Sequence, residues 1–357
     1  MSDTRKRSKE IGVNRPTPAR PRAVTVGEGL AVLVACPGPL EDSPAFERSA
    51  GGAEANVATV LTQLGVGTAW ISRVGDDGFG RYLVRHLAER GVHTASVYTD
   101  PARPTGLYVK ERGGGSDRTA DLPAGASRML YYRTGSAASA LSPADLDAAA
   151  DLIERCELIH FTGVTTALSA TATELGDRLV ALPRRGRLVS FDLNYRPALW
   201  IRRTESAGEI LARQVRGSDV AFLGADEAEE VFGTGDPARL RALFPQPRHL
   251  VVKNSGHSVT GFLGAEYLDV PALSLEVTEA IGAGDAFAGG YLAALLQGRP
   301  HDQLLRFGHL CAAAALTGTG DIAELPPLSR LETYAAATPS DWSEMRFPAA
   351  VRENVAS

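Results

Sequence analysis

The chain has 357 residues, 44% of them hydrophobic, and a formal net charge of −5. It can bury one large core or two smaller ones, and it carries no global basic field to recruit nucleic acid. No apolar run approaches the ~20 residues that cross a bilayer, so no membrane partner is expected. Cys36, Cys156 and Cys311 lie far apart, without metal-ligand spacing, and read as buried thiols of a reducing, cytoplasmic compartment. Residues 1–22 are rich in Arg, Lys and Pro with no hydrophobic region for a signal peptide, and read as a disordered basic tail.

From residue 23, β-rich runs alternate with amphipathic helical ones. The pattern predicts strand 23–27, helix 55–64, strand 68–74, helix 78–90, strand 158–161, helix 170–182 and strand 187–192. It continues with strand 219–223, helix 226–232, strands 249–253 and 259–263, a helix opened by Gly284, and a last helix over 302–316. Repeated βα units imply a mainly parallel sheet with helices on both faces, and ligands bound beyond the carboxyl ends of its strands. Residues 30–50 and 104–134 break the alternation. They contain strands 105–111 and 129–133 and no helix, and read as a small β-sheet lid, with 112–127 a mobile loop or hairpin. Residues 23–335 form the folded domain, and 336–357 read as a loose C-terminal extension.

Polar chemistry gathers at five places. Gly282-Ala283-Gly284-Asp285 turns a β-prone run into an apolar helix. Amides at such a helix start bind anions, and a carboxylate beside them suits a base that takes a proton from a hydroxyl. A capping aspartate on a glycine turn would look the same. Gly51-Gly52 leads into a second helix carrying Asn56, which offers a polyol both donor and acceptor. Strand alternation puts Tyr131 and Arg133 on one face and Tyr132 on the other, so that Arg133 can grip a carboxylate. Asp192, Asn194 and Arg196 crowd a strand end, and Pro197 holds Arg196 extended. Asp226-Glu227 opens a helix whose dipole alone accounts for most of its acidity.

Together, GGAEANVA, TGLYVKE, YYRTGSAAS, SFDLNYRPALW and GAGD resemble the ribokinase-like (PfkB) carbohydrate kinases over about residues 23–325. The likeness is greatest to the branch that phosphorylates 2-dehydro-3-deoxygluconate. The resemblance implies an α/β enzyme that uses ATP and Mg²⁺. Asp285 would be the base and Gly282, Ala283 and Gly284 an anion hole. Gly51, Gly52, Asn56, Tyr108, Tyr131, Arg133 and Arg196 would hold the sugar acid. Lys253 and Gly256 would lie near the nucleotide, and Glu227 would hold Mg²⁺ through water. It also implies homo-oligomers formed through the lid. Two departures stand out. Glu279-Ala280-Ile281 replaces Asp-Thr-Thr, which argues against a monovalent-cation site, and Gly224 replaces the asparagine of NxxE. Fructose, ribose or 5-dehydro-2-deoxygluconate are alternative substrates, and a catalytically silent sugar binder is the alternative of another class.

Overall fold

A computed structural model describes residues 20–201, 203–279, 281–318, 320 and 322–348. In chain order its strands are β1 Ala23–Val26, β2 Leu30–Pro37, β3 Phe46–Gly51, β4 Thr68–Gly75, β5 Val97–Asp100, β6 Leu107–Arg112 and β7 Ser127–Tyr132. They continue with β8 Leu158–Thr162, β9 Leu188–Asp192, β10 Val220–Gly224, β11 His249–Asn254, β12 Ser258–Leu263 and β13 Glu266–Pro271. Among the described residues, nine strands form one sheet in the order β13-β12-β11-β10-β9-β8-β1-β4-β5. All its pairings from β5 to β11 are parallel, and β12 and β13 add an antiparallel edge.

The central strands are apolar on both faces, as a sheet covered on both sides requires. Along β10, Val220 and Phe222 pack into one core with the helix Ala283–Leu296, while Ala221 and Leu223 pack into the other. Side-chain alternation thus divides each strand between two helical layers. The one over Val220 and Phe222 holds the helices Ala53–Gln63, Ala283–Leu296 and His301–Thr317; the other holds Ala170–Val180 and Ala207–Gly217.

The four-stranded sheet β3-β2-β6-β7 is separate and has a small core of its own, Leu30, Val32 and Tyr108. It is the layer expected from the break in alternation, with one 3₁₀ turn, Leu40–Asp42, that the sequence reading lacked. The segment 112–127 is the connection of a hairpin in which Arg112 pairs with Ser127. Asp121 shapes it, accepting from the backbone N–H of Gly114 at 2.9 Å and of Ser116 at 2.8 Å.

Two boundaries need correction. Arg22, inside the expected tail, is fastened to Glu157 by a two-pronged pair at 2.7 Å, while residues 1–19 lie outside the described residues. At the other end, 336–348 is not loose. Trp342 is 2% and Phe347 6% exposed, and the Trp342 indole donates to the Pro271 carbonyl at 3.0 Å. The helix Pro339–Glu344 presents that one large aromatic inward, a signal too short to read as periodicity. Residues 349–357 lie outside the described residues.

Candidate active site

The helix Ala283–Leu296 begins at Gly282, whose φ of 77° is a left-handed conformation that favours glycine. Its Gly289 lets the helix Ala53–Gln63 approach closely, since a Cβ there would lie 2.7 Å from the Val60 side chain. That approach delivers Asn56 to Asp285. The Asn56 amide donates to Asp285 Oδ2 at 2.8 Å, and the Asn194 amide donates to Oδ1 at 3.3 Å. Asn194 holds a φ of 37°, a strained position for a residue with a side chain, here tied to orienting a carboxylate. Burial raises the pKa of Asp285, against the opposing pull of the Asn56 hydrogen bond, Lys253 and Arg196.

Asp285 and Gly282 stand in the wall of a cavity of about 350 Å³. The same cavity is lined by Gly52, Asn56, Tyr108, Tyr131, Arg133 and Arg196, so all but one of the residues assigned to sugar binding meet there. Gly51 is the exception; it is buried at the end of β3 and lines neither this cavity nor its neighbour. Gly52 packs against the backbone, where a Cβ would lie 2.4 Å from the Glu28 carbonyl, and its φ is 124°. Tyr108 Oη and Asn56 Oδ1 are buried with no hydrogen-bond partner, so the cavity wall has free polar atoms.

A larger cavity of about 760 Å³ adjoins the first along Arg196 and the glycine turn, and is lined by Glu227, Lys253, Gly256, Ala283 and Gly284. Lys253, expected beside a nucleotide, donates to Asp192 Oδ2 at 2.7 Å. Burial disfavours its charge, but Asp192, Glu227 and Asp285 more than compensate and its pKa rises. Asp192 is itself pushed up to about 6, by burial first. Arg196 is extended, as Pro197 requires, and donates to Glu227 at 2.8 Å. Gly224 has a structural consequence: a Cβ there would crowd Glu227 Oε2 at 3.1 Å. That oxygen and Asp192 Oδ1 are buried without hydrogen-bond partners, which suits acids awaiting a hard cation.

Sequence reasoning missed three charged residues here. Glu28, between two glycines after β1, is 1% exposed, pairs with Arg133, and accepts from the Ser136 hydroxyl at 2.6 Å. Its signal was a carboxylate directly after a strand end, to which the sequence reading gave no role. Glu54 is fully buried, with Oε1 accepting from the Thr162 N–H at 3.0 Å and the Thr165 hydroxyl at 2.7 Å. Burial pushes its carboxyl up to about 7, against those hydrogen bonds. Lys110, on β6 of the small sheet, is 3% exposed and pairs with Glu279.

The pfkB family carbohydrate kinase pattern matches residues 22–327. The chain is 34% identical over 315 residues to a 2-dehydro-3-deoxygluconokinase of Thermoproteus tenax, covering 87% of this chain and 93% of that one. It is 30% identical over 312 residues to a 2-dehydro-3-deoxygalactonokinase of Haloferax volcanii, covering 85% and 93%. A crystal structure of a PfkB protein from Polaromonas sp. JS666 superposes with a TM-score of 0.75 at 32% identity, over 88% of this chain and 99% of that one. The chain belongs to the pfkB family of carbohydrate kinases.

Proposed function

We propose that the protein transfers the γ-phosphoryl group of ATP to the primary hydroxyl of 2-dehydro-3-deoxy-D-gluconate. The observation that carries this reading is Asp285. It is oriented by two asparagines, its pKa is raised, and it lines the smaller cavity while its chain neighbours Ala283 and Gly284 line the larger one. Asp285 accepts the hydroxyl proton as the new oxygen–phosphorus bond forms and the bond to the β-bridging oxygen breaks, releasing ADP. The amides of the Gly282–Gly284 turn receive the charge on the transferred group. Asp192, and Glu227 through water, would hold a Mg²⁺ ion, which would supply neutralisation of phosphate charge. The lid keeps water from the phosphoryl group.

The sugar acid's carboxylate is the ligand suited to the guanidinium N–H groups of Arg133 and Arg196 that Glu28 and Glu227 leave free, the unpartnered Nε of Arg133 among them. Lys110 on Glu279 supports a reaction that needs no added potassium. Association of two copies through the small sheet, which carries exposed Phe46 and Tyr132 (45% and 61%), belongs to the same reading; light scattering tests it. One observation favours a second reading. Both arginines already have carboxylate partners, so a neutral sugar such as fructose or ribose could occupy the cavity without contributing a charge.

The test is ADP release with Mg·ATP and, in turn, 2-dehydro-3-deoxygluconate, its galactonate epimer, fructose, ribose and no sugar. Turnover with the sugar acids alone is the expected result. Turnover with a neutral sugar alone removes the carboxylate reading and keeps Asp285 as base. Turnover with none of these, nor with 5-dehydro-2-deoxygluconate, favours the silent binder.

A further inference from the structure

The lid meets the large domain through a buried charge pair that the reaction as described does not use. Val34 pairs with Lys110 and Val32 with Tyr108 across β2 and β6, so Lys110 shares the face of Tyr108, which lines the smaller cavity. One step further along that face, the Lys110 side chain is 4% exposed and its ammonium rests on Glu279, whose side chain is 13% exposed. A buried ammonium is costly unless paired, and an apolar side chain would fill the same space more cheaply. Packing alone therefore does not explain this residue.

Glu279 stands three residues before Gly282, in the loop that delivers the anion-hole amides. On its other side, that loop is held by the Leu316 carbonyl, which accepts from the N–H of Thr278 at 2.8 Å and of Glu279 at 3.2 Å. The helix His301–Thr317 thus anchors the loop's backbone, while the lid anchors its side chain. We propose that Lys110 is a positioning residue for phosphoryl transfer, tying the loop that carries the anion hole to the lid, so that the seating of the lid sets the alignment of Gly282–Gly284 with Asp285. The inference rests on the kinase reading for its consequence in turnover, and on the Lys110–Glu279 pair for its structural content.

The experiment compares Lys110→Met, Lys110→Arg, Glu279→Gln and the double variant Lys110→Met/Glu279→Gln in the full chain. It measures kcat and sugar KM, together with amide hydrogen exchange of 276–284. A misaligned reacting group costs up to about 100-fold, so Lys110→Met should lower kcat by roughly tenfold or more. Sugar KM should move by less than about threefold, because an interaction felt in the transition state alone spares ground-state binding. The double variant should be no worse than Lys110→Met, and Lys110→Arg should recover most of the loss. Exchange over 276–284 should rise in Lys110→Met and Glu279→Gln, while the β11–β12 hairpin keeps its protection. Unchanged kcat in Lys110→Met, a loss confined to KM, or losses that multiply in the double variant overturn the proposal. If the wild-type chain phosphorylates no sugar, the kinase reading fails by itself and exchange still decides. Unchanged protection of 276–284 in Lys110→Met then discards the tie, and raised exchange keeps it.

Discussion

The carboxyl edge of the nine-stranded sheet and the small sheet above it manage charge in opposite ways. At the large sheet, Lys253 and Asp192 stand on β11 and β9, either side of β10 with its buried Val220–Leu223, and they neutralise each other within one layer. The small sheet has little core of its own; its buried Glu111 pairs with Arg128 inside the sheet, but Lys110 and Arg133, which follows β7, find their partners outside it. Lys110 meets Glu279 in the anion-hole loop, and Arg133 meets Glu28 after β1. Groups that handle a phosphoryl transfer need fixed geometry, which a sheet buried on both faces provides. Of the groups proposed to hold the sugar, Tyr108 and Tyr131 lie on the thinner sheet and Arg133 directly follows it, and the carboxylate partner of Arg133 comes from the end of β1.

The largest effect is expected at the carboxyl edge of the nine-stranded sheet. Asp285→Asn keeps the shape and loses the proton acceptor, so kcat should fall by about 100- to 10,000-fold while the folded state persists. A rate within about threefold of wild type in steady-state assays would remove Asp285 from the chemistry. Next in size, Lys253→Met leaves Asp192 buried and unpaired, and chemical unfolding should register a loss of about 3–5 kcal/mol. Lys253→Met/Asp192→Asn should recover most of it. A single-variant cost below about 1 kcal/mol would mean that the pair behaves like a surface one and that the edge is less rigid than argued.

On the small sheet the effects are expected in selectivity. Arg133→Ala, made in a Glu28→Gln background so that no buried carboxylate is stranded, should lower kcat/KM for the sugar acid by about 10- to 100-fold, the value of a charged hydrogen bond. Neutral sugars should be little affected, and an equal loss for both kinds would assign Arg133 to lid seating instead of recognition. The effect farthest from the chemistry concerns Glu54, which joins the helix Ala53–Gln63 to the end of β8. Its carboxyl is raised from 4.5 to about 7 in the fold, so between those values the folded chain holds a proton that the unfolded chain releases. The fold therefore loses stability from this group as pH rises through that window, by at most about 1.4 kcal/mol per pH unit. Glu54→Gln should gain on wild type in thermal unfolding from pH 5 to pH 7, and a constant difference would show that Glu54 is ionised throughout.

Legibility followed the range of the interactions. The helix opened by Gly284 and the strand–turn at Asp192 could be read because strand period, glycine turn and helix start are local. The helices Pro143–Ala148, Ala150–Arg155 and Pro237–Leu243 escaped because each runs only six or seven residues, too short for a periodic signal. Ala207–Gly217 was long enough, and its buried Ile210, Leu211 and Val215 do recur at helical spacing, so that omission was one of reading. Arg133 and Arg196 were legible as residues but not as paired ones, because Glu28 and Glu227 reach them only through the fold.

The layered α/β architecture and the glycine turn with its aspartate are written in the sequence, and the family resemblance added six residues that line the smaller cavity, Gly52, Asn56, Tyr108, Tyr131, Arg133 and Arg196. Alternation and turn chemistry act over a few residues and leave their mark in the order of side chains. Only the tertiary structure decided which charges meet. Asn56 reaches Asp285 across 229 positions and Lys110 reaches Glu279 across 169. A charge's partner is set by distance in space and by exclusion of water, and neither is written in the spacing of residues along the chain.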